Sequence, residues 1–251
     1  IRKLKNGECI ATREGYNIAY RFSRKEMRDR HRIRVSKLVP FTEEIKTIQY
    51  PWDIFQLNDW ALRQDFKLLT TRRKSQVIPR SNKVIGPAGQ VFIEKGARVD
   101  HCIINASTGP VYIGKDAEIL EGCMIRGPFA MGEKSCLKMG TKIYGATTLG
   151  PGCVGGGEIK NAVLFGSSNK AHEGYLGDAV IGEWCNLGAG TSNSNLKNNA
   201  SPVKVWTPEG EIVAGPKCGV IMGDYSRTAI NTSINTGTVI GVCCNVFGNG
   251  L

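Results

Sequence analysis

The chain has 251 residues, 41% of them hydrophobic, enough for one large domain or two modest ones with a sizeable core. No run of eighteen apolar residues occurs, which excludes a membrane-spanning helix. The formal net charge of +11 is locally concentrated, in Arg21, Arg24, Lys25, Arg28, Arg30, Arg32, Arg34 and Lys37 and again in Arg72, Arg73, Lys74 and Arg80. No aromatic interleaving or binding motif accompanies these runs, so they read as a solvated face, or as sites for anionic substrates such as sugar phosphates and nucleotides, and not as a nucleic-acid surface. Nine cysteines without a C-x-x-C pair fit a reduced, cytoplasmic setting. The start at Ile1 and the end at Leu251, without a polar cap, read as cut ends.

Residues 1 to 48 are mixed and basic. Alternation at Tyr16–Tyr20 and Arg32–Val35 predicts strands, and the segment reads as the tail of a larger domain. Residues 49 to 80 form a linker helix and connector. Asp53 stands as a helix N-cap with Gln56 as its capping-box partner. Ile54, Leu57, Ala61 and Leu68 make one apolar stripe, and Phe55, Leu62, Phe66 and Leu69 a second, over roughly four turns ending near Thr70. Arg72 to Lys83 reads as a polar linker.

From residue 81 to 251 the pattern has a period of six. Aliphatic residues fall at Ile113, Ile119, Ile125, Met131, Leu137, Ile143 and Leu149, and a small residue follows four later at Ala117, Cys123, Ser135, Thr141, Thr147 and Cys153, with Phe129 as the exception. Glycines recur eighteen apart at Gly114, Gly132 and Gly150. Neither a helix nor an alternating strand repeats every six residues. A parallel β-helix with one short strand per hexad and three per turn does. Cys123, Cys153, Cys185 and Cys244 take the small interior position. The helix is expected to begin near Ile85, with a small insertion at Asn105 to Pro110. The rhythm breaks after Gly156, resumes at Ile181, breaks again from Asn193 to Lys217, and closes with Met222, Thr228, Ile234, Ile240 and Val246. Breaks in a repeat array extrude loops, and function gathers on such loops. The first break carries His172, alone of the three histidines on such a loop, in company with Lys160, Tyr175, Asn186 and Asn195. A histidine suits a general base, and lysines and asparagines suit a sugar phosphate.

Hexads together with Glu158-Ile159-Lys160-Asn161, Lys170-Ala171-His172, Tyr175-Leu176-Gly177-Asp178 and Asn186-Leu187-Gly188-Ala189-Gly190-Thr191 resemble the left-handed β-helix acyltransferases. Within these, the match is to the acetyltransferase part of bifunctional glucosamine-1-phosphate acetyltransferase/N-acetylglucosamine-1-phosphate uridylyltransferase, in its archaeal and alternative bacterial branch. Tyr50-Pro51-Trp52-Asp53 with Asn58 resembles the end of a sugar-1-phosphate nucleotidyltransferase domain. The left hand of the helix and a homotrimer with sites between subunits follow from the resemblance alone. So do the residue roles. His172 is the implied general base, with Asn186 beside the acetyl-transfer centre. Lys160, Tyr175 and Asn195 would contact the sugar phosphate, Lys217 would reach across the subunit boundary, and Lys142 stands nearest to an arginine that the family uses for the phosphate. Ala189 and Gly248 would line acetyl-CoA. Departures from the family are Asn195-Leu196-Lys197-Asn198, where the best-known enzymes have Asn-Tyr-Asp-Gly, and Glu173-Gly174 where an apolar residue is usual.

Three readings are open. The first is N-acetyl transfer from acetyl-CoA to glucosamine-1-phosphate, or a related amino-sugar phosphate, within a protein that makes a UDP-sugar. Mg2+ and UTP would serve only a nucleotidyltransferase domain absent from this chain. The second is a non-catalytic β-helix that oligomerises or regulates a nucleotidyltransferase, such as a glucose-1-phosphate thymidylyltransferase. The third, a metal-dependent hydratase, needs three histidine ligands, and His31 and His101 are poorly placed for that, so no metal is expected.

Overall fold

The computed structural model describes residues 4–13, 15–28, 35–42 and 45–248, and the chain divides into two compact units, Ile1–Thr47 and Ile48–Leu251. In the first, β1 (Glu8–Ala11) lies between β2 (Asn17–Arg21), antiparallel to it, and β3 (Lys37–Pro40), parallel to it. The predicted Tyr16–Tyr20 strand is β2, one residue later. The second predicted strand lies outside the described residues except for Val35, which is not in a strand. A short helix, α1 (Arg24–Arg28), was not foreseen.

In the second unit the hexads do form a mainly β, single-stranded parallel β-helix, the left-handed β-helix fold, preceded by the short α/β segment and a helical linker. Its strands stack into three faces. Six described strands, from Lys83–Ile85 to Tyr175–Gly177, make the first. Eight, from Val91–Ile93 to Val239–Ile240, make the second, and five, from Arg98–Val99 to Asn169–Lys170, the third. Every pairing within these faces is parallel. Aliphatic side chains fill the interior; Ile113, Leu137, Ile143 and Leu149 are almost wholly buried. The small hexad residues point inward too, and Phe129 occupies one of their positions.

At the corners the backbone repeatedly adopts positive φ. One column of such residues contains Asp116, Lys134, Gly152, Ser167 and Trp184. Corner amides bond to the coil before, as Lys134 N–H does to the Lys115 carbonyl and Trp184 N–H to that of Gly166. Carbonyls on the inner side accept from a small side chain just beyond the corner: Ser135 Oγ donates to Gly132, Thr141 Oγ1 to Lys138 and Thr232 Oγ1 to Ala229. Each of these inward carbonyls thereby gains a side-chain partner, whereas Thr147 Oγ1 is buried with no hydrogen-bond partner among the described residues.

Several expectations change. The solenoid is engaged before Ile85, which is itself exposed. Ile78 and Val84 pack against the core, Gln76 N–H donates to the Ile93 carbonyl, and Gln76 Nε2 donates to Ala97. The polar linker is therefore docked by hydrogen bonds. Cys123, Cys153 and Cys185 are buried as predicted, but Cys244, in the final described coil, is only half-buried.

The first rhythm break extrudes nothing. Paired residues normally lie eighteen apart, as in Met124↔Lys142, but the next steps are Lys142↔Glu158, Glu158↔Tyr175 and Val154↔Asn169. Corners lose one to three residues while strands remain paired, which shifts the sequence phase without breaking the stack. The second break does leave the helix, as an antiparallel hairpin of Val203–Thr207 and Gly210–Gly215.

The linker helix is also interrupted, at Leu57, between α2 (Asp53–Gln56) and α3 (Asn58–Thr70). Asp53 caps neither. Its carboxylate accepts the preceding amides of Gln49 and Tyr50, and Gln56 Nε2 reaches the Ala214 carbonyl at 2.6 Å. Trp52, Phe55 and Leu62 are buried and Ile54 packs partly buried against the same cluster, whereas Leu68 and Leu69 are exposed, so both stripes pack at their N-terminal ends and neither does at the C-terminal end. Buried Asn58 joins helix to solenoid: its Nδ2 donates to Ala146 O at 2.8 Å, and Thr148 Oγ1 donates to its Oδ1 at 2.9 Å. Asn58→Ala should leave both partners without a bond and cost about 1–3 kcal/mol, read from the urea midpoint at unchanged slope.

Candidate active site

The shortened corners set the site. The turn from the third face, ending at Lys170, to the first face, resuming at Tyr175, carries Ala171, His172, Glu173 and Gly174. Two glycines in the preceding coil let this corner sit close. A Cβ on Gly156 would lie 2.2 Å from the Ala171 carbonyl oxygen, and one on Gly157 2.9 Å from that of His172. Gly174 is itself required. Its φ is +125°, and a Cβ there would lie 2.1 Å from Thr191 O. The departure at Glu173-Gly174 thus has a steric cause, since the unusual glycine allows the coil above to pass.

His172 is exposed at this corner. A concavity of about 470 Å³ runs along the third face beside it, and His172, Asn186 and Ala189 line it together with Lys138, Asn169 and Ile230. Asn186 extends the ladder of that face, bridging Asn169 below and Arg227 above. The structure therefore unites both residues expected at the reaction centre with one of the two expected along the coenzyme.

Around the corner, the first face collects the polar residues expected to hold a sugar phosphate. Lys142, Glu158 and Tyr175 are stacked in register, and Tyr144, Lys160 and Gly177 form the adjacent column. Lys160 Nζ lies 5.6 Å from the centre of the Tyr144 ring, while Tyr144 Oη donates to Glu158 Oε1. That bond, then burial, pushes the Tyr144 phenol up to about 12. Lys142 reaches Glu173 at 4.0 Å, an exposed pair of little energetic weight.

Beside them lies a network absent from the sequence reading. The carboxylate of buried Asp178 accepts Nδ2–H of Asn161 at 2.6 Å and Nδ2–H of Asn195, and Asn195 Nδ2 also donates to Tyr175 Oη at 2.9 Å. An ionised carboxylate only accepts, so this partner fixes the orientation of the Asn195 amide and leaves its Oδ1 as the acceptor on offer. Burial, with the Asp178 charge nearby, pushes the Tyr175 phenol up to about 12, so Tyr175 is a neutral hydroxyl at pH 7. Asp178 and Asn161 adopt positive φ at consecutive corners, and that shared corner was the available signal. Asn193 is structural: buried in the interior, it bonds Gly177 through both ends of its amide.

Lys217 and Gly248 stand apart from the concavity. Lys217 is exposed after the hairpin, next to Cys218, whose N–H donates to Asn195 O at 3.0 Å. Gly248 is exposed just past the last described strand. His101 holds a corner with φ +56°.

A six-residue-repeat β-helix behind a short α/β segment, with this polar corner, defines the class: a hexapeptide-repeat β-helix protein, resembling the C-terminal part of the bifunctional sugar-1-phosphate nucleotidyltransferase/acetyltransferases. A family model described as sugar nucleotidyl transferase matches residues 1–74. The chain is 31% identical over 194 residues to the bifunctional protein GlmU of Methanocaldococcus jannaschii, an alignment covering 77% of the chain and 41% of that protein. It is 32% identical over 224 residues to the bifunctional sugar-1-phosphate nucleotidylyltransferase/acetyltransferase of Sulfurisphaera tokodaii, covering 86% and 47%. With the uncharacterized acetyltransferase YaiX of Escherichia coli it shares 33% over 151 residues, covering 59% and 66%. The chain thus spans less than half the length of the two bifunctional relatives.

Asp178→Ala removes the acceptor of two asparagine amides at once, and should cost about 2–4 kcal/mol in urea unfolding.

Proposed function

We propose that this chain carries out acetyl-CoA-dependent N-acetylation of glucosamine-1-phosphate, or a related amino-sugar phosphate, as the acyltransferase part of a protein that makes a UDP-sugar. The observation that carries this reading is one corner bearing His172, with Asn186 and Ala189 along one adjoining face and Lys160, Tyr175 and Asn195 on the other. Two substrates can thereby meet at the histidine from two directions.

The chemistry follows from these groups. The sugar phosphate lies along the first face, its phosphate toward Lys160 and Lys142, with the neutral Tyr175 hydroxyl and Asn195 Oδ1 toward sugar hydroxyls or the amino group. Acetyl-CoA lies along the third face beside Ala189, and Gly248 extends that track. His172 accepts a proton from the sugar ammonium, so the amine lone pair attacks the thioester carbonyl and the C–N bond forms. A backbone amide or Asn186 Nδ2 stabilises the oxyanion. Collapse of the tetrahedral adduct breaks the C–S bond, the adduct nitrogen sheds its second proton to solvent to leave the neutral amide, and the departing thiolate takes up the proton held by the histidine. A homotrimer would let Lys217 of one subunit complete the site of the next. Nucleotidyl transfer, with UTP and Mg2+, belongs to a domain outside this chain, and the setting is cytoplasmic.

Thiol release from acetyl-CoA in the presence of glucosamine-1-phosphate tests the reading. His172→Ala should lower kcat by about 10²–10⁴-fold at an unchanged melting temperature. Folded wild-type protein that releases no thiol with any amino-sugar phosphate would instead favour a scaffold for a nucleotidyltransferase. Tyr175→Phe should mainly raise KM for the sugar phosphate, by about 5–10-fold for one lost hydrogen bond, and leave KM for acetyl-CoA unchanged.

A further inference from the structure

The interior of the corner that carries His172 departs from the pattern of every comparable corner described above and below it. In each coil, the first interior residue past this corner is a small donor: Cys102, Cys123, Thr141, Thr191 and Thr232. Each directs its sulfur or hydroxyl to an inward corner carbonyl: Cys102 to Asp100 and Leu120, Cys123 and Thr141 to Lys138, and Thr191 and Thr232 to Ala229. In the coil before and at the His172 corner itself the equivalent residues are Gly157 and Gly174, which have no side chain to donate. Left alone, the buried carbonyl of Gly156 and the part-buried carbonyl of His172 would have no side-chain donor, at the cost such groups carry.

One residue supplies both bonds. Lys170 sits at an interior hexad position, in register with Gly155 and on the same column as Leu137, and it is only 1% exposed. Gly155 sends no side chain into that space. The Lys170 ammonium donates to Gly156 O at 3.2 Å and to His172 O. A lysine in an otherwise uncharged interior column is costly, and burial pulls its ammonium down to about 8, with Glu173 opposing the shift. Packing alone would be served better by leucine or methionine. The two glycines that admit the close corner removed the usual donors, and Lys170 replaces them from inside the helix.

We propose that Lys170 is the positioning residue of the candidate base: by holding the carbonyls of Gly156 and His172 from within the solenoid, it fixes the corner that aims the His172 imidazole into the cleft. Lys170 touches no substrate and acts through His172. The inference rests on the acetyltransferase reading for its kinetic consequence, but the bonds themselves do not depend on that reading.

Lys170→Met keeps the length of the side chain and removes both donors and the charge. The variant leaves two carbonyls without their donor and also removes a buried charge, effects of opposite sign on stability, so the melting temperature serves only to show that the variant folds. In thiol-release kinetics, kcat should fall at least tenfold while KM for acetyl-CoA and for the sugar phosphate stay within about twofold. Lys170→Gln, whose shorter, uncharged amide still presents N–H donors to the corner, should fall between the two. A residue that merely packed would leave kcat as it is in any variant that folds. Unchanged kcat in a folded Lys170→Met protein overturns the proposal. Should the methionine variant not fold, the glutamine variant decides: a lowered kcat at KM values within about twofold supports the proposal, and an unchanged kcat overturns it. If the wild type releases no thiol, the acetyltransferase reading fails by itself, and the positioning role is then read from the proton NMR signal of the His172 ring, assigned by its loss in His172→Ala. That signal should move toward the position of an unrestrained histidine in Lys170→Met, and an unmoved signal overturns the proposal.

Discussion

Adjacent coils of this protein are tied by backbone hydrogen bonds at the fixed separation of parallel strands, about 4.8 Å. Nothing in the interior can lengthen that distance, so each corner must pass the next with backbone against backbone. The close glycine contacts follow from this spacing: a Cβ on Gly114 would meet the carbonyl carbon of Gly132, and one on Gly132 the backbone of Pro151. Left-handed corners such as Lys134 and Trp184 follow from it as well. The site is built on the same constraint, since the His172 corner sits low against Gly156 and Gly157 and under Thr191.

The constraint also divides the polar work of the molecule. Inward carbonyls are satisfied by small side chains wherever the coil is regular. Where it is not, longer groups reach in, as Lys170 does at the His172 corner and as Asn193 does toward Gly177. The outer faces are then free to carry side chains of different chemistry. One bears lysines and tyrosines linked through Asp178 and its two asparagines, and the other bears a cleft along Asn169 and Asn186.

Much of the fold was legible in the sequence because a six-residue period has few physical meanings, and the series from Ile113 to Leu149 states it seven times. The grouping of His172, Asn186 and Ala189 came from resemblance, and the structure brings those three together. What could not be read had definite causes. Counting by sixes fails when a corner loses residues, because pairing is set by neighbouring strands and not by chain position; a stacked segment was therefore taken for an extruded loop. Asp53 has the composition of an N-cap, but its carboxylate is occupied by the amides of Gln49 and Tyr50. Lys170 had the least visible role. A lysine in a sequence is expected at the surface, and only the absent donors at Gly157 and Gly174 explain why this one is inside.

The variable corner lengths have an evolutionary consequence. Each coil binds only the coils beside it, so deleting one or two residues at a corner re-aims the side chains there and leaves later strands in their columns. Specificity in such a scaffold can change by insertion and deletion as readily as by substitution. Alignments that penalise gaps will tend to misplace the residues of such corners, because the corners where gaps fall are also the corners that carry the candidate site.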